Sequence, residues 1–434
     1  RVTARMRQEI MVALSSGDHA RAVDLGERAV ARQPLDEGAH ILLVKALIAD
    51  GREDAARAHV EATEAYFLEE LGEKPTAALR SAARATVSSA PPGVPQRAIV
   101  ETQISAGIAA LSAGAVDAGI DCLRRAAASA EAAGDDHLLG RALLELGTAL
   151  VHSIRGYDDE GAIYLRQAVD LSRRCGAPEI AATGLRELGY LEALAGRRPE
   201  ASKLLKEALV ACGDDKARLA GVHAMIAYNL TNWGKIADGL TGFNEAIECA
   251  RMGAIRRWEV WSLAIGSWGH MAAEAPETAD SWLKQSIAGC DETQWLAFRP
   301  MPISLLATVR LRLDDPPESL RGDLHDTYAL SCQLGDPCWQ GLAARSIALT
   351  YSKAGEYDPA TQWLATAHEH CTSVTDPSMS ILIEVMADQM RLAFQTGKED
   401  EGRTLARKLI SVAARTHADR HLHEAIARLG GEAT

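Results

Sequence analysis

An internal period of about 40 residues is the feature of this sequence that most constrains its fold. Disulfide frameworks belong mainly to small secreted domains, whereas a chain of 434 residues with 47% hydrophobic residues has enough apolar surface for a core without bridges. We therefore interpret six of its eight cysteines as small buried residues at one recurring position of a repeat, in a reducing compartment. These six follow one another at nearly equal intervals: Cys175, Cys212, Cys249, Cys290, Cys332 and Cys371.

Small and apolar residues recur at matching positions in successive copies of this period. One copy carries them at Leu185, Leu188, Gly189, Gly196, Ala201, Leu205, Ala208 and Gly213. A second copy carries them at His223, Ile226, Ala227, Gly234, Gly239, Phe243 and Ala246. Small residues let two helices pack closely, and a glycine between the helices ends the first of them. The pattern resembles the tetratricopeptide (TPR) repeat, a helix–turn–helix unit with a period of about 34 residues.

The resemblance implies an all-α fold in which helical hairpins stack into a TPR-like α–α superhelix, or solenoid, with a concave surface. Because the period here exceeds that of the minimal TPR repeat, the helices are predicted to be longer than in that repeat. The alternative is an irregular α-helical domain whose self-similarity is accidental. Glycines are predicted to close the second helices at Gly134, Gly176, Gly213, Gly253 and Gly335.

The sequence divides into a helical N-terminal domain, a linker and the repeat array. Three prolines and a glycine interrupt helical patterning in residues 89–97, which we interpret as the linker between a domain of residues 1–88 and an array of residues 98–434. The N-terminal domain has a distinctive closing motif, in which a long helix would end in a Leu-Gly turn and a short helix would follow a proline. The motif consists of Leu71, Gly72, Pro75, Leu79 and Arg80.

Over about residues 5–87 the sequence resembles the bacterial transcriptional activator domain (BTAD) of antibiotic-regulatory, SARP-type regulators. The resemblance implies a TPR-like helical domain that contributes to dimerisation and activation and directly follows a winged-helix DNA-binding domain. Gly26 departs from the family, whose members usually carry a bulky apolar residue at this point of the second helix. We therefore expect looser packing around Gly26.

The resemblance implies the C-terminal regulatory part of a cytoplasmic bacterial transcriptional regulator. Because the sequence begins at Arg1 and not at Met, we expect the winged helix to lie upstream, so that DNA is contacted only through that absent domain. The array would sense a protein partner or a small-molecule effector in its concave groove, and the whole could be a homodimer. The alternative is a protein-docking TPR scaffold unrelated to transcription, and a third option is the regulatory tail of a signalling enzyme.

Charge and motif content exclude several other classes. The net charge of −13 argues against a nucleic-acid-binding surface within this sequence. The sequence has neither an apolar run long enough to span a membrane nor a secretory signal. No Gly-x-x-x-x-Gly-Lys-Ser/Thr loop, nucleophile elbow, His-Glu-x-x-His or CxxC pair is present. We therefore predict that the chain is not an enzyme, has no cofactor and no metal, and does not enter a membrane.

Tryptophan is concentrated in one stretch, since six of the eight tryptophans lie between residues 233 and 295. Trp258, Trp261 and Trp268 would lie near one stripe of a helix. They could form the aromatic wall of a ligand pocket or peptide groove, or they could fill gaps between degenerate repeats as core residues. The residues of the binding interpretation are Trp233, Arg256, Arg257, Trp258, Trp261, Trp268 and Trp295.

Two smaller groups could bind a metal or form a bridge. His417, His421 and Glu424 are spaced to share one face of a terminal helix, and we favour a solvated capping face there over a metal site. Cys332 and Cys338 flank a predicted turn, where a disulfide is geometrically possible but is disfavoured in a reducing compartment.

Overall fold

The computed structural model describes residues 2–15, 17–72, 75, 79, 82–83, 96–112, 115–152 and 156–430. Within these residues the chain forms 21 α-helices and no strand. The fold is therefore all-α, as the periodicity predicts. It consists of two compact units, residues 1–146 and residues 147–434, which we call the N-terminal and C-terminal units. None of the described helices is long and apolar enough to cross a membrane.

The N-terminal unit is built from helices whose ends follow the sequence signals. Asp18 and Asp36 cap two of them, and their side chains accept backbone N–H groups of Arg21 and Ala39, each at 3.3 Å. Gly134 ends the last helix that lies wholly within the unit, in a left-handed conformation. The helices are α1 (Val2–Ser15), α2 (His19–Arg32), α3 (Glu37–Ala49), α4 (Glu53–Leu71), α5 (Gln96–Ser112) and α6 (Val116–Ala133), and the division between the units falls within α7 (Asp136–His152).

Packing around Gly26 is close, and the expectation of loose packing there was wrong. A Cβ atom on Gly26 would lie 3.2 Å from the Cα atom of Leu43. The missing side chain therefore lets α2 approach the backbone of α3, so a bulky residue has no room at this position. Leu43 belongs to the same buried cluster as Ile10 and Leu79.

The C-terminal unit repeats one helical hairpin, with first helices and second helices alternating along the chain. The first helices, from α7 to the last helix, start about 40 residues apart, which confirms the period of the sequence. The helices are α8 (Asp158–Cys175), α9 (Pro178–Leu194), α10 (Arg198–Cys212), α11 (Lys216–Asn232), α12 (Ile236–Met252), α13 (Arg256–Ala272), α14 (Pro276–Glu292), α15 (Pro300–Arg312), α16 (Pro317–Leu334), α17 (Pro337–Lys353), α18 (Tyr357–Thr372), α19 (Met379–Gln395), α20 (Glu399–Arg415) and α21 (Asp419–Arg428).

In two of the hairpins a glycine of the first helix packs closely against a leucine of the second. A Cβ atom on Gly189 would lie 2.6 Å from Cγ of Leu205, and one on Gly147 would lie 2.7 Å from Cγ of Leu165. The glycines therefore accept the leucines as the repeat pattern predicts. Both leucines are fully buried.

The second helices end where the glycines predict. Gly176, Gly213, Gly253 and Gly335 are their C-cap residues, as Gly134 is in the N-terminal unit. The six periodic cysteines lie in or near the last turn of these helices, and all are free thiols. Four of the six are buried as predicted. The prediction was wrong for Cys175 and Cys332, which are exposed, because Ser172 and Ser331 take the buried positions in the last turns of α8 and α16.

Candidate ligand site in the C-terminal unit

The C-terminal unit closes on itself, because its last hairpin contacts its early hairpins. Arg198, the first residue of α10, is 1% exposed. It donates one hydrogen bond from Nη1 to the carbonyl oxygen of Ala193 at 2.6 Å and another from Nε to that of Thr416 at 3.3 Å. A Cβ atom on Gly196 would lie 2.5 Å from Cβ of Thr416. We call this contact of the α9–α10 turn with the α20–α21 turn the seam.

Further contacts extend the seam across neighbouring helices. The hydroxyl of Tyr228 on α11 lies 2.9 Å from that of Ser380 on α19, in a buried hydrogen bond. The ring of Trp233, just after α11, lies 5.7 Å from that of His417, measured between centroids. Helix α11 and the residue that follows it therefore contact α19 and the turn before α21.

A second contact joins the start of α8 to the segment between α18 and α19. The carboxylate of Asp376, in the segment between α18 and α19, accepts the backbone N–H groups of Gly156 at 2.7 Å and Asp158 at 3.0 Å. A charged acceptor satisfies N–H groups at the start of a helix and suits the positive end of its dipole.

A pocket opens at the seam, with about 540 Å³ of atom-free space, part of it open to solvent. Its walls come from α10 to α13 on one side and from α19 and α21 on the other. Its apolar lining includes Ile236, Trp268 and Ile383. Its polar lining includes Arg198, Thr231, Glu384, Arg420 and His421.

Two polar groups beside this pocket lack the partners that such groups usually have. No carboxylate among the described residues pairs with Arg198, and burial lowers the pKa of its guanidinium. Its two hydrogen bonds use Nε and Nη1 and leave Nη2 without a partner in the part of the chain that the structure describes. The hydroxyl oxygen of Thr231 is also buried without a hydrogen-bond partner. Unpaired buried polar groups are costly, so each needs a structural or functional reason.

Glu384, in contrast, has partners on both of its carboxylate oxygens. Its Oε2 accepts a hydrogen bond from Nη2 of Arg345 at 2.9 Å, and its Oε1 bonds Arg420 and lies 3.1 Å from Nε2 of His421. Burial acts to raise the pKa of Glu384, but the contacts with His421 and Arg345 outweigh burial and hold this pKa well below its usual range. Glu384 therefore remains ionised in the pocket wall, and its neighbours offset its negative charge.

The interpretation of His421 and Glu424 as part of a solvated face was wrong. His421 is buried against Glu384, and Glu424 pairs with Arg391 on α19, Nε to Oε1 at 2.6 Å. His417 precedes α21 and has φ of 52°, so the three residues do not share a helix face. No group of three metal-binding side chains occurs among the described residues.

The tryptophans of the binding interpretation are spread over several separate contacts. Trp261 is 7% exposed and packs between aromatic rings, 6.4 Å from that of Tyr190 and 6.1 Å from that of Tyr228. Trp258 packs against Trp261 and under the guanidinium of Arg186, whose Cζ lies 4.9 Å from the ring centroid. These rings form a ladder along the first helices α9, α11 and α13.

The remaining predicted residues lie elsewhere. Trp233 packs under Lys235 at the seam, and Trp295 packs under Arg257 after α14. Arg256 pairs with Glu259 and Glu292. Of the seven residues of the binding interpretation, Trp268 alone lines the pocket described above.

Sequence reasoning missed the charged residues of the pocket, since they lie far apart along the chain. One local signal marks Arg198. It begins a second helix with a basic residue, whereas the other second helices of this unit begin with an acidic or an uncharged residue. Nothing comparable marks Glu384, whose environment depends on Arg345 and His421 from other helices.

The closing motif of the N-terminal unit forms as its sequence predicts where it is described. Gly72 ends α4 with φ of 74°, a left-handed conformation that suits glycine, and its N–H donates to the carbonyl of Leu68 at 3.1 Å. Pro75 is buried, and Leu79 is fully buried in the cluster with Ile10. Arg80 lies outside the described residues.

Comparison with known families confirms the resemblance of the N-terminal region. The family model for the bacterial transcriptional activator domain matches residues 1–86. This match spans the described part of the closing motif. The bacterial transcriptional activator domain is a regulatory family. No curated protein sequence matches the chain.

Several solved helical-repeat structures resemble the chain at low sequence identity. A Rap protein complexed with competence and sporulation factor has 12% identity and a TM-score of 0.41, covering 95% of this chain and 98% of that one. Aspartyl phosphate phosphatase F from Bacillus subtilis has 13% sequence identity and a TM-score of 0.41, covering 94% of this chain and 93% of that one. The apo form of the quorum sensor NprR from B. thuringiensis has 12% sequence identity and a TM-score of 0.48, covering 85% of this chain and 98% of that one.

Proposed function

We propose that this chain is the regulatory part of a cytoplasmic bacterial transcriptional regulator. The observation that carries the proposal is the family match over residues 1–86, together with the buried Pro75 and Leu79 of its closing motif. In this proposal the N-terminal helical domain mediates dimerisation and activation, and a winged-helix domain outside this sequence contacts DNA. The protein acts through regulated association, without catalysis.

The array has the sensing role in this proposal. The activator domain comprises residues 1–88, the linker residues 89–97, and the sensing array residues 98–434, whereas the compact units divide between residues 146 and 147. The C-terminal unit supports a sensing role because it combines a pocket with a seam between distant helices. An occupant that prefers the closed seam would stabilise it by the difference in its affinity for the two states.

A reporter assay tests the regulatory role. The full chain is fused to a heterologous DNA-binding domain that binds its operator only as a dimer, and transcription from that operator is measured. We expect the fusion to activate the reporter. Leu79→Asp should abolish activation, because a charge would enter the core of the N-terminal unit, whereas Leu68→Asp at an exposed position of α4 should not.

The docking-scaffold alternative predicts a different result. A fusion that is folded by circular dichroism, present at normal levels and silent at the reporter would overturn the proposed function. Recovery of a client protein by the same silent fusion would then favour the scaffold. Activation that survives Leu79→Asp would show that the closing motif does not carry the activity.

A further inference from the structure

We propose that the pocket at the seam is a binding site for a small monocarboxylate with an apolar body. This inference rests on the proposed sensing role and names the class of ligand that would be sensed. The pocket is bounded by helices from both sides of the seam and is partly open to solvent. It also holds a buried arginine with no carboxylate partner among the described residues. A buried charge is stable only when it is paired or fully hydrogen-bonded, so a carboxylate from a ligand would supply the ion pair that Arg198 lacks.

The charges of the lining give the charge of the ligand. The lining contains two arginines, Arg198 and Arg420, and one carboxylate, Glu384, so the arginines outnumber the carboxylate. Both oxygens of Glu384 already accept hydrogen bonds from arginines, so its repulsion of an incoming anion is largely offset. The lining therefore favours an anionic ligand over a cationic one.

The apolar wall gives the shape of the ligand. Trp268, Ile236 and Ile383 offer an apolar wall for an aromatic or aliphatic body. The walls come from both sides of the seam, so a ligand that contacts Arg198 and also α19 would hold the early and late hairpins together.

The binding test uses the full chain and defined probes. Phenylacetate and hexanoate are titrated by calorimetry, beside phenylacetamide and phenethylamine, which keep the apolar body and change the charge. We expect the two carboxylates to bind and raise the melting temperature, and the amide and the amine to bind at least about tenfold more weakly. Failure of both carboxylates to bind at about 10 mM would overturn the proposal, as would equal binding of the amide.

Two substitutions place the ligand in this pocket without depending on each other. Arg198→Gln should lower affinity for the carboxylates at least about tenfold, and its melting temperature reports any loss of the bonds to Ala193 and Thr416. Ile236→Ala removes part of the apolar wall and should lower affinity while Arg198 stays in place. Unchanged affinity in Ile236→Ala and in a folded Arg198→Gln would overturn the site.

Tryptophan fluorescence gives a local readout with a matched control. Carboxylate binding should change the emission of the wild-type chain and of Trp282→Phe, whose ring packs against His270 away from the pocket. The change should be lost in Trp268→Phe. A signal that survives Trp268→Phe but not Trp282→Phe would move the site elsewhere and overturn the proposal.

The source of the carboxylate and the proposed function are tested separately. A tetrapeptide with a C-terminal phenylalanine is titrated in parallel. It tests whether the bound carboxylate is a peptide C-terminus or a free small acid. Tighter binding of the peptide than of the small acids would overturn the small-molecule site. The binding readouts do not involve transcription. Loss of carboxylate binding with an active reporter would therefore overturn the site alone, and binding with a silent reporter would overturn the regulatory function alone.

Discussion

The guanidinium of Arg198 donates to the backbone carbonyl of Thr416 across 218 residues of sequence. Contacts between neighbouring hairpins are expected in any helical-repeat array, because each hairpin buries its face on the next. A contact between the second and the last full hairpin is a different relationship, since it closes this unit on itself. Thr416 lies in a turn and Arg198 is the first residue of α10, so the closure depends on helix ends and turns as well as on helix packing.

Gly196→Ala should open the seam. The substitution places a methyl group 2.5 Å from Cβ of Thr416 at a residue with φ of +81°. Gly355→Ala is the matched control, since Gly355 also ends a first helix with φ of +79° but has no atom near the added Cβ. Both variants carry a left-handed strain of about 1 kcal/mol, and Gly196→Ala should lose about 1–3 kcal/mol more from overpacking.

Chemical denaturation measures this difference in the free energy of unfolding. Amide hydrogen exchange in residues 416–421 should also rise in Gly196→Ala and not in Gly355→Ala. Equal losses of stability in the two variants would show that the seam contributes nothing to the stability of the C-terminal unit.

Arg345→Met should destabilise the C-terminal unit strongly. Arg345 is buried on α17 and pairs with two buried carboxylates of α19, Glu384 at 2.9 Å and Asp388 at 2.6 Å. Removing the arginine leaves part of this negative charge uncompensated, which costs about 3–5 kcal/mol in buried pairs. Denaturant unfolding provides the measurement.

The control for this buried pair is an exposed one. Arg173→Met removes an ion pair with Asp170, in which both side chains are mostly exposed, and should cost less than about 1 kcal/mol. If Arg345→Met were as stable as Arg173→Met, the carboxylates of α19 would have to be neutral or hydrated in the folded chain.

The sequence predicts the repeating part of the fold well, because that part depends on local spacing. Gly189 and Leu205 meet because they occupy fixed positions in one hairpin, and Gly213 ends α10 because only glycine readily takes its conformation. These relationships recur in each copy, so a single sequence contains several observations of them. The closing motif around Gly72 and Leu79 is local in the same sense.

The candidate site could not be predicted in this way. Arg198, Trp268 and Glu384 meet because the array closes, and closure depends on small rotations summed over many hairpins. Clustering of tryptophans in sequence predicted proximity in space, yet Trp261 and Trp295 belong to different contacts. The burial of His421 also depends on Glu384, which lies 37 residues earlier on another helix.

Thiol reagents should separate the cysteines by exposure. Cys175 and Cys332 are exposed and should react first in the folded chain. Burial raises the pKa of Cys290 and of Cys371 to about 12, so their thiolate fraction at neutral pH is very small. Reaction of these two should be at least about 100-fold slower until denaturant is added, as followed by mass spectrometry of labelled peptides. Rapid labelling of Cys371 in the native protein would contradict its buried position on α18.

The last prediction concerns acid stability and the ladder of aromatic rings. Glu187 on α9 is 1% exposed, accepts a hydrogen bond from Nε of Arg186 at 2.9 Å and lies 2.6 Å from Nε2 of His152. Burial acts to raise the pKa of Glu187, but Arg186 and His152 together outweigh burial and lower it to about 2. The carboxylate is therefore far more acidic in the folded chain than in the unfolded one.

A lowered carboxylate pKa contributes stability that is fully present above the unfolded value of about 4.5 and is lost as the pH falls towards 2. Glu187→Gln should therefore be less stable than wild type at pH 7, on the order of 3 kcal/mol, and the difference should shrink steadily between about pH 4.5 and pH 2. Glu207→Gln, at an exposed position of α10, should follow wild type at every pH. Denaturant unfolding at a series of pH values measures all three chains. A difference between wild type and Glu187→Gln that does not change with pH would show that Glu187 acts through packing and not through its charge.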